Sequence, residues 1–426
     1  NKICQMFHLA QATVRAGLAL LEKGGYVRVN PRTAPVVVYK AGPAGFRESA
    51  ARYFVSRKAG IADWVLSGKL LFEPLWREDW KRFLDNMKHL SVESVSMPAE
   101  LYILVFKAPH NRLFLNLYWE TVRYIRFAYL MVRKDQAVLT DQELEGLSRE
   151  EVISLLGQTF ETLYGRITAD LLSFIAQAQD EFDLGDMEQV PFYWNIYRKR
   201  PQMRYTLVSR ILREIERGDY PRGTYLPSLP CMAQRYEVSF NTVRRSLSIL
   251  DSMGITRSLQ GKGTLVLAEA EKADLANPEI REGMKLYLDS LQLMTLTIKP
   301  VVQYTLENAT ADAVEKLQYD VRQLGKNRNG YKIFEVVLTF IAENCRLNLV
   351  KECYNKLREL IVWGYPIALL RLREREFHME YNDMVDQAGR YLGEGNAEAF
   401  SGSVKESMGR EYQEVRIFLE SADTRQ

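Results

Sequence analysis

Four cysteines and four histidines are all the thiol and imidazole metal ligands that 426 residues supply. Cys4, Cys231, Cys345 and Cys353 fall at no zinc-ligand spacing, and nothing suggests an oxidising compartment, so they read as free thiols. A tight transition-metal site needs several nitrogen or sulfur ligands converging. His8, His89, His110 and His378 are too scattered for that, and His110 and His378 read as surface or capping residues. No metal and no cofactor are expected. The chain also lacks a P-loop, a dinucleotide-binding glycine pattern and a nucleophile elbow, which argues against an enzyme. "GEGNAEAFSG", around Gly393, is glycine-rich but follows no strand, so it reads as a turn between helices. No apolar run reaches the roughly 18–20 residues of a membrane span. No secretory signal is visible, so a cytoplasmic location is expected and a membrane partner is not. The net charge of +3 decides nothing alone, because a nucleic-acid binder needs only a basic face.

What is present is a soluble globular balance, 47% hydrophobic and 26% charged, over a length suited to about three or four domains. One pattern occurs twice. "LAQATVRAGLALLEKGGY" (from Leu9) is a looser copy of "VSFNTVRRSLSILDSMGI" (from Val238). At one fixed shift, Thr13, Val14, Arg15, Leu18, Leu21 and Gly25 fall on Thr242, Val243, Arg244, Leu247, Leu250 and Gly254. Phe7 pairs with Tyr236, Glu22 with Asp251, and Arg28 with Arg257. Further on, "HNRLFLNLYWETVRYIRFAYL" (from His110) more weakly resembles "NCRLNLVKECYNKLRELIVWG" (from Asn344). A match at fixed distance points to duplication of a large unit. Two units follow, about 1–201 and 202–426, joined by the basic, aromatic stretch 191–201 between Pro191 and Pro201. The first copy opens within the motif, so upstream residues, including an opening helix, are expected to be missing from it.

The second copy is the better defined. Leu207, Ile211 and Ile215 make one helical stripe, ended by Gly218. Ser228 is a candidate N-cap with Pro230 in the first turn, and Ser239 is a second N-cap. From there Val243, Leu247 and Leu250 point inward, leaving Phe240, Asn241, Arg244 and Ser248 on or near the other face. Gly254 stops the helix, and "ITRSLQGKGTLVL" reads as two short strands about a turn at 260–263. Three helices and a hairpin are the order of a winged helix-turn-helix.

Leu226-Pro227-Ser228, Thr242-Val243-Arg244, Gly254 and the Gly261-Lys262-Gly263 wing, in this order and spacing, resemble the winged-helix domain of GntR-family bacterial transcription regulators. The resemblance covers 202–267 well and 1–39 partially. It implies contact with double-stranded DNA through Ser228, Ser239, Asn241, Thr242, Arg244, Arg245, Gly261, Lys262 and Gly263, and in the first copy through Gln11, Thr13, Arg15 and Arg28. Two family arginines are absent: Pro230 and Phe240 stand at their positions. In the first copy Ala10-Gln11-Ala12 replaces Ser239-Phe240-Asn241, and "NPRTAP" stands where the glycine wing belongs.

The segments 40–190 and 268–426 lack strand alternation and carry apolar residues every three or four positions, so each reads as an all-helical bundle of about five to seven helices. In regulators of the FadR type such a bundle binds the effector, and "FEVVLTFIAENCRLNLV" resembles part of it. Many such bundles hold a metal with one aspartate and three histidines. Here Phe334-Glu335 replaces the family's Phe-His pair, and "MVDQAGRYLGEGNAEAFSGSVKESMGREY" contains no histidine. Tyr118, Trp119, Tyr124, Tyr354, Trp363 and Tyr365 sit at helical spacing and read as core before pocket. The fold expected is mainly α: two winged helices with small β-wings, each followed by a helical bundle. The function expected is a ligand-responsive DNA-binding regulator, acting as a monomeric pseudo-dimer or a homodimer, with a small-molecule effector. The alternative is a protein- or ligand-binding module with vestigial winged helices.

Overall fold

Among the described residues, helices form where apolar residues recur every three or four positions, and the strands lie in two short hairpins. The structure, a computed structural model, describes residues 11–23, 27–30, 34–38, 43–78, 111–125, 148–196, 202–267, 274, 277–364, 367 and 375–423. In chain order the elements are α1 (Gln11–Lys23), β1 (Val27–Arg28), β2 (Val36–Val37), α2 (Pro43–Val55), α3 (Lys58–Ala62), α4 (Trp64–Glu78), α5 (Arg112–Ile125) and α6 (Arg149–Glu181). Next come α7 (Gln202–Arg217), α8 (Leu229–Arg235), α9 (Phe240–Ser252), β3 (Thr256–Leu259) and β4 (Gly263–Val266). The chain ends with α10 (Pro278–Asn308), α11 (Ala311–Lys326), α12 (Ile333–Asn344), α13 (Asn348–Ile361), α14 (Arg375–Gly393) and α15 (Ala397–Asp423). Both hairpins are antiparallel, with Val27 opposite Val37 and Thr256 opposite Val266. Among the described residues no helix is long and apolar enough to cross a membrane.

The chain divides into two compact units. The first holds 1–58, 170–190 and 197–201. In it α2 lies against the end of α6, with Phe54 edge-on to Phe174 and Arg47 paired to Glu181 at 2.9 Å. The Gln189 side chain donates to the Val55 carbonyl at 2.9 Å.

The second unit holds 59–169, 191–196 and 202–426. Its axis is α10, which buries Ile280, Met284, Leu291, Leu293, Ile298 and Val302 among others. A helix apolar on more than one side must be surrounded. Here α4, α5, α12, α13 and α15 pack on it. Two glycines allow the close approach of the 3-10 turn Val362–Gly364: a Cβ on Gly283 would strike the Trp363 ring, and one on Gly364 the Tyr287 ring. Trp363 and Tyr354 are fully buried and Tyr118 nearly so, as core residues, whereas Trp119 is exposed. Tyr365 lies outside the described residues. The glycine-rich stretch near Gly393 is a turn between α14 and α15, with Gly395 at positive φ.

Contacts among the described residues cross the expected boundaries. The described helices of 40–190 do not all pack within that segment. Instead, α4 and α5 pack on α10, where Asn111 donates to the Asp289 carbonyl at 2.7 Å and Arg112 pairs with Glu282 at 3.1 Å. Nor is 191–196 a free linker. Trp194 is fully buried, its indole N–H donating to Asn116 Oδ1 at 2.6 Å and its backbone N–H to Glu352 at 3.1 Å. An apolar stripe says that a face is buried and not which partner buries it.

Candidate nucleic-acid interface

Residues 202–267 build a helix-turn-helix with a wing. Leu207, Ile211 and Ile215 are all buried along α7, and Gly218, at φ +87°, ends the helix in a conformation that favours glycine. Ser228 caps α8, its hydroxyl accepting from the Cys231 N–H, and Pro230 fits the first turn because no donor is needed there. The chain turns through Glu237, at φ +54°, and Val238 N–H closes the turn on the Ala233 carbonyl at 3.0 Å. Ser239 then caps α9, accepting from the Thr242 N–H at 3.1 Å.

The two faces of α9 are clearly divided. Val243, Ser246, Leu247, Ile249 and Leu250 are buried, and α9 packs on α7. Ser246 fastens the pair by donating to the Arg204 carbonyl at 3.0 Å. Phe240, Asn241, Arg244, Arg245 and Ser248 face outward. Neither Arg244 nor Arg245 has an ion pair among the described residues. Arg235 behaves differently: it pairs with Glu214 at 3.3 Å and donates to the Tyr220 hydroxyl. Tyr236 also donates to Glu214, and burial first, then that bond, raises its hydroxyl far above the ordinary phenol range. Glu214 thus holds α8 to α7.

The wing is fixed to the end of α9 by Asp251. Its carboxylate accepts from the Thr256 hydroxyl at 2.5 Å and the Ser258 N–H at 3.0 Å. Residues 223–226 add backbone bonds on β4's far side, Leu226 N–H to Thr264 O and Val266 N–H to Thr224 O. Gly261 and Gly263, at φ +73° and +106°, shape the tip and expose Lys262. Arg257, exposed on β3, was not among the expected contacts, although its alignment with Arg28 marked it.

A charged seat lies where α7 meets the helices behind it. The Arg213 guanidinium donates to the Arg358 carbonyl at 3.1 Å, and burial lowers its pKa. Glu216 is raised by burial and then by Glu335 nearby, while Lys332 and Arg213 oppose the shift.

In the first copy α1 spans 13 residues, the same length as α9 and in the same register of the repeat. Gln11, Thr13 and Arg15 are exposed on it, and Arg28 is exposed on β1. No residue of α1 is buried, and Leu20 and Leu21 are 71% and 44% exposed. One bond repeats. Val29 N–H donates to Glu22 at 2.7 Å, the repeat equivalent of Ser258 donating to Asp251. Phe7, His8, Leu9, Ala10 and Gly25 lie outside the described residues, as do His89, His110 and the side chain of His378. Thus the expected second-copy residues lie on α9, at the start of α8 and at the wing tip. The described part of the first copy is one helix and a hairpin.

Residues 205–266 match the family described as "Bacterial regulatory proteins, gntR family". The chain is 28% identical over 117 residues to the HTH-type transcriptional regulator LutR of Bacillus subtilis (strain 168), covering 26% of this chain and 52% of LutR. It therefore spans about half of that relative's length. It is 26% identical over 98 residues to the uncharacterized HTH-type transcriptional regulator YhcF of the same organism, covering 23% of this chain and 81% of YhcF. Among solved structures, Streptococcus agalactiae GntR aligns with 50% of this chain and 99% of its own at 17% identity, with a TM-score of 0.23.

Proposed function

We propose, from the gntR-family match over 205–266, that this chain is a DNA-binding transcription regulator of GntR type that engages DNA chiefly through α9 and its wing. The observation that carries this is the division of α9. Its apolar side is spent on α7, while Asn241, Arg244 and Arg245 stand exposed beside a capped helix N-terminus. A helix N-terminus offers backbone N–H groups and positive potential to phosphates. Arg and Asn offer bidentate contacts to guanine and adenine edges. Lys262 at the wing tip and Arg257 on β3 add charge for the backbone.

The pseudo-dimer reading rests on the matched span of α1 and α9 and on the repeated acid-to-wing bond at Glu22 and Asp251. A palindromic site needs two heads, and fusion lets them diverge. Divergence makes the operator asymmetric, read more by the second head. Ligand response finds support in a cleft of about 230 Å³ that takes in Arg217 of α7 beside Glu335, Leu317 and Phe340. A ligand there would touch the head and the helices behind it together. It shifts DNA affinity only as far as it prefers one arrangement over another.

The test is binding of the full chain to fluorescent DNA from its own upstream region, across a salt series and with Arg244→Ala. Tight binding that weakens steeply with salt and falls by about 1–3 kcal/mol in the variant is expected. Binding at the nonspecific level, unchanged by Arg244→Ala, would instead mean winged helices kept as a docking scaffold.

A further inference from the structure

The helix α9 contains five large apolar residues, and four of them (Val243, Leu247, Ile249 and Leu250) are buried. Phe240 is the fifth, and it is 55% exposed. It occupies the first helical position, immediately after the Ser239 cap, so its backbone is held by the bond from Thr242 N–H to Ser239 at 3.1 Å. Phe240 and Arg244 are four residues apart and share one side of the helix, and Asn241 stands beside them. An apolar ring, an amide and a guanidinium thus share the exposed first turns of the helix.

We infer that Phe240 selects thymine, packing its ring on the C5-methyl group in the major groove at the base pair facing the start of α9. This rests on the DNA-binding reading above and names the base class that the second head prefers. The chemistry is specific. The C5-methyl group of thymine is the one apolar feature on the major-groove edge, and aromatic or small apolar side chains are the groups that contact it. An exposed phenyl ring gains by burying apolar area, and it offers nothing to a guanine O6 or N7 acceptor. The repeat partner of Phe240 is Gln11, whose amide suits adenine instead, so the two heads differ in chemistry at this position.

The experiment uses the full chain and the duplex it selects from a randomised pool. Each thymine is replaced singly by deoxyuridine, which removes the methyl group and keeps the base pairing. One thymine in the second head's half-site should weaken binding about fourfold when replaced, the value for one buried carbon at about 0.8 kcal/mol. Phe240→Ala should bind thymine and uracil duplexes alike at that position, and Phe240→Leu should retain part of the discrimination. Because Phe240 is exposed at a helix start, amide exchange in α9 should not change, which separates lost contact from lost fold. A chain that binds DNA with a steep salt response and binds more weakly on Arg244→Ala, yet shows no uracil effect, overturns the Phe240 assignment alone. So does a uracil effect of equal size in Phe240→Ala. A chain that selects no duplex overturns this inference together with the DNA-binding reading.

Discussion

Helices α1 and α9 carry the same Thr-Val-Arg motif over the same 13-residue span, yet α9 buries five residues and α1 buries none. Leu250 is fully buried, while Leu21, its repeat partner, is 44% exposed. The difference lies in what surrounds each motif. Among the described residues α9 has α7 against it, a capping serine and a four-residue wing register, whereas α1 has a hairpin with two residues in each strand. An amphipathic pattern states a demand for burial, and a second element must meet it.

The largest effect that sharpens this comparison is on stability. Leu250→Ala should destabilise the second head by about 2–5 kcal/mol, the range for emptying a core leucine site. Leu21→Ala should stay within about 0.5 kcal/mol, as for an exposed position. Amide exchange of the two helices within the intact chain measures both. Equal losses would show that α1 is packed as tightly as α9.

Next in size is DNA affinity. Arg244→Ala should cost about 1–3 kcal/mol, the worth of a bidentate base contact, with the loss concentrated in one half-site. On the proposed reading of two heads, Arg15→Ala should cost less and mainly reduce the salt slope, since a head that reads bases weakly keeps phosphate contact before base contact. Footprinting of both variants on one operator is the measurement. Matching losses in both half-sites would make the heads equivalent and break the comparison.

Much of the second head was legible because its signals are local. Ser228 and Ser239 as caps, Gly218 and Gly254 as stops and the 260–263 turn each depend on a few neighbouring residues, and each falls where the residue type predicts. The outward set Phe240, Asn241 and Arg244 followed from helical period alone. What stayed hidden depends on distant partners. The stripe in α5 gave no sign that it would lie on α10, where Asn111, just before α5, donates to the Asp289 carbonyl 178 positions away. Trp194 lay in a stretch that composition marked as a linker, yet it is buried, with its N–H groups donating to the distant Asn116 and Glu352. Arg257 was visible only through its alignment with Arg28.

A smaller effect should come from the cap. Ser239→Ala removes the acceptor for Thr242 N–H and should cost about 1 kcal/mol of α9 stability. The first copy has Ala10 at this repeat position, so Ala10→Ser should raise protection of α1 by a few tenths up to that amount. If Ser239→Ala leaves exchange in α9 unchanged, the cap is not what separates the two helices.

The smallest expected effect is a pH dependence confined to the second head. Glu216 on α7 is raised above the ordinary glutamate value, first by burial and then by Glu335. The folded head therefore holds a proton on Glu216 at pH values where the unfolded chain has released it. Stability that depends on protons bound in the folded state falls as pH rises through that window, from about the ordinary value of 4.5 upward. Acidification from neutrality towards that value should tighten the seat of α7 against Arg358 and Glu335, and Glu216→Gln should remove the response by keeping the site neutral. Amide exchange along α7, followed across pH in both proteins, is the readout. The described part of the first copy holds no equivalent of this seat, so α1 should show no such response. A response of equal size in α1 would trace the pH dependence to the chain's overall charge, which every helix feels, and away from the one half-buried carboxyl of Glu216.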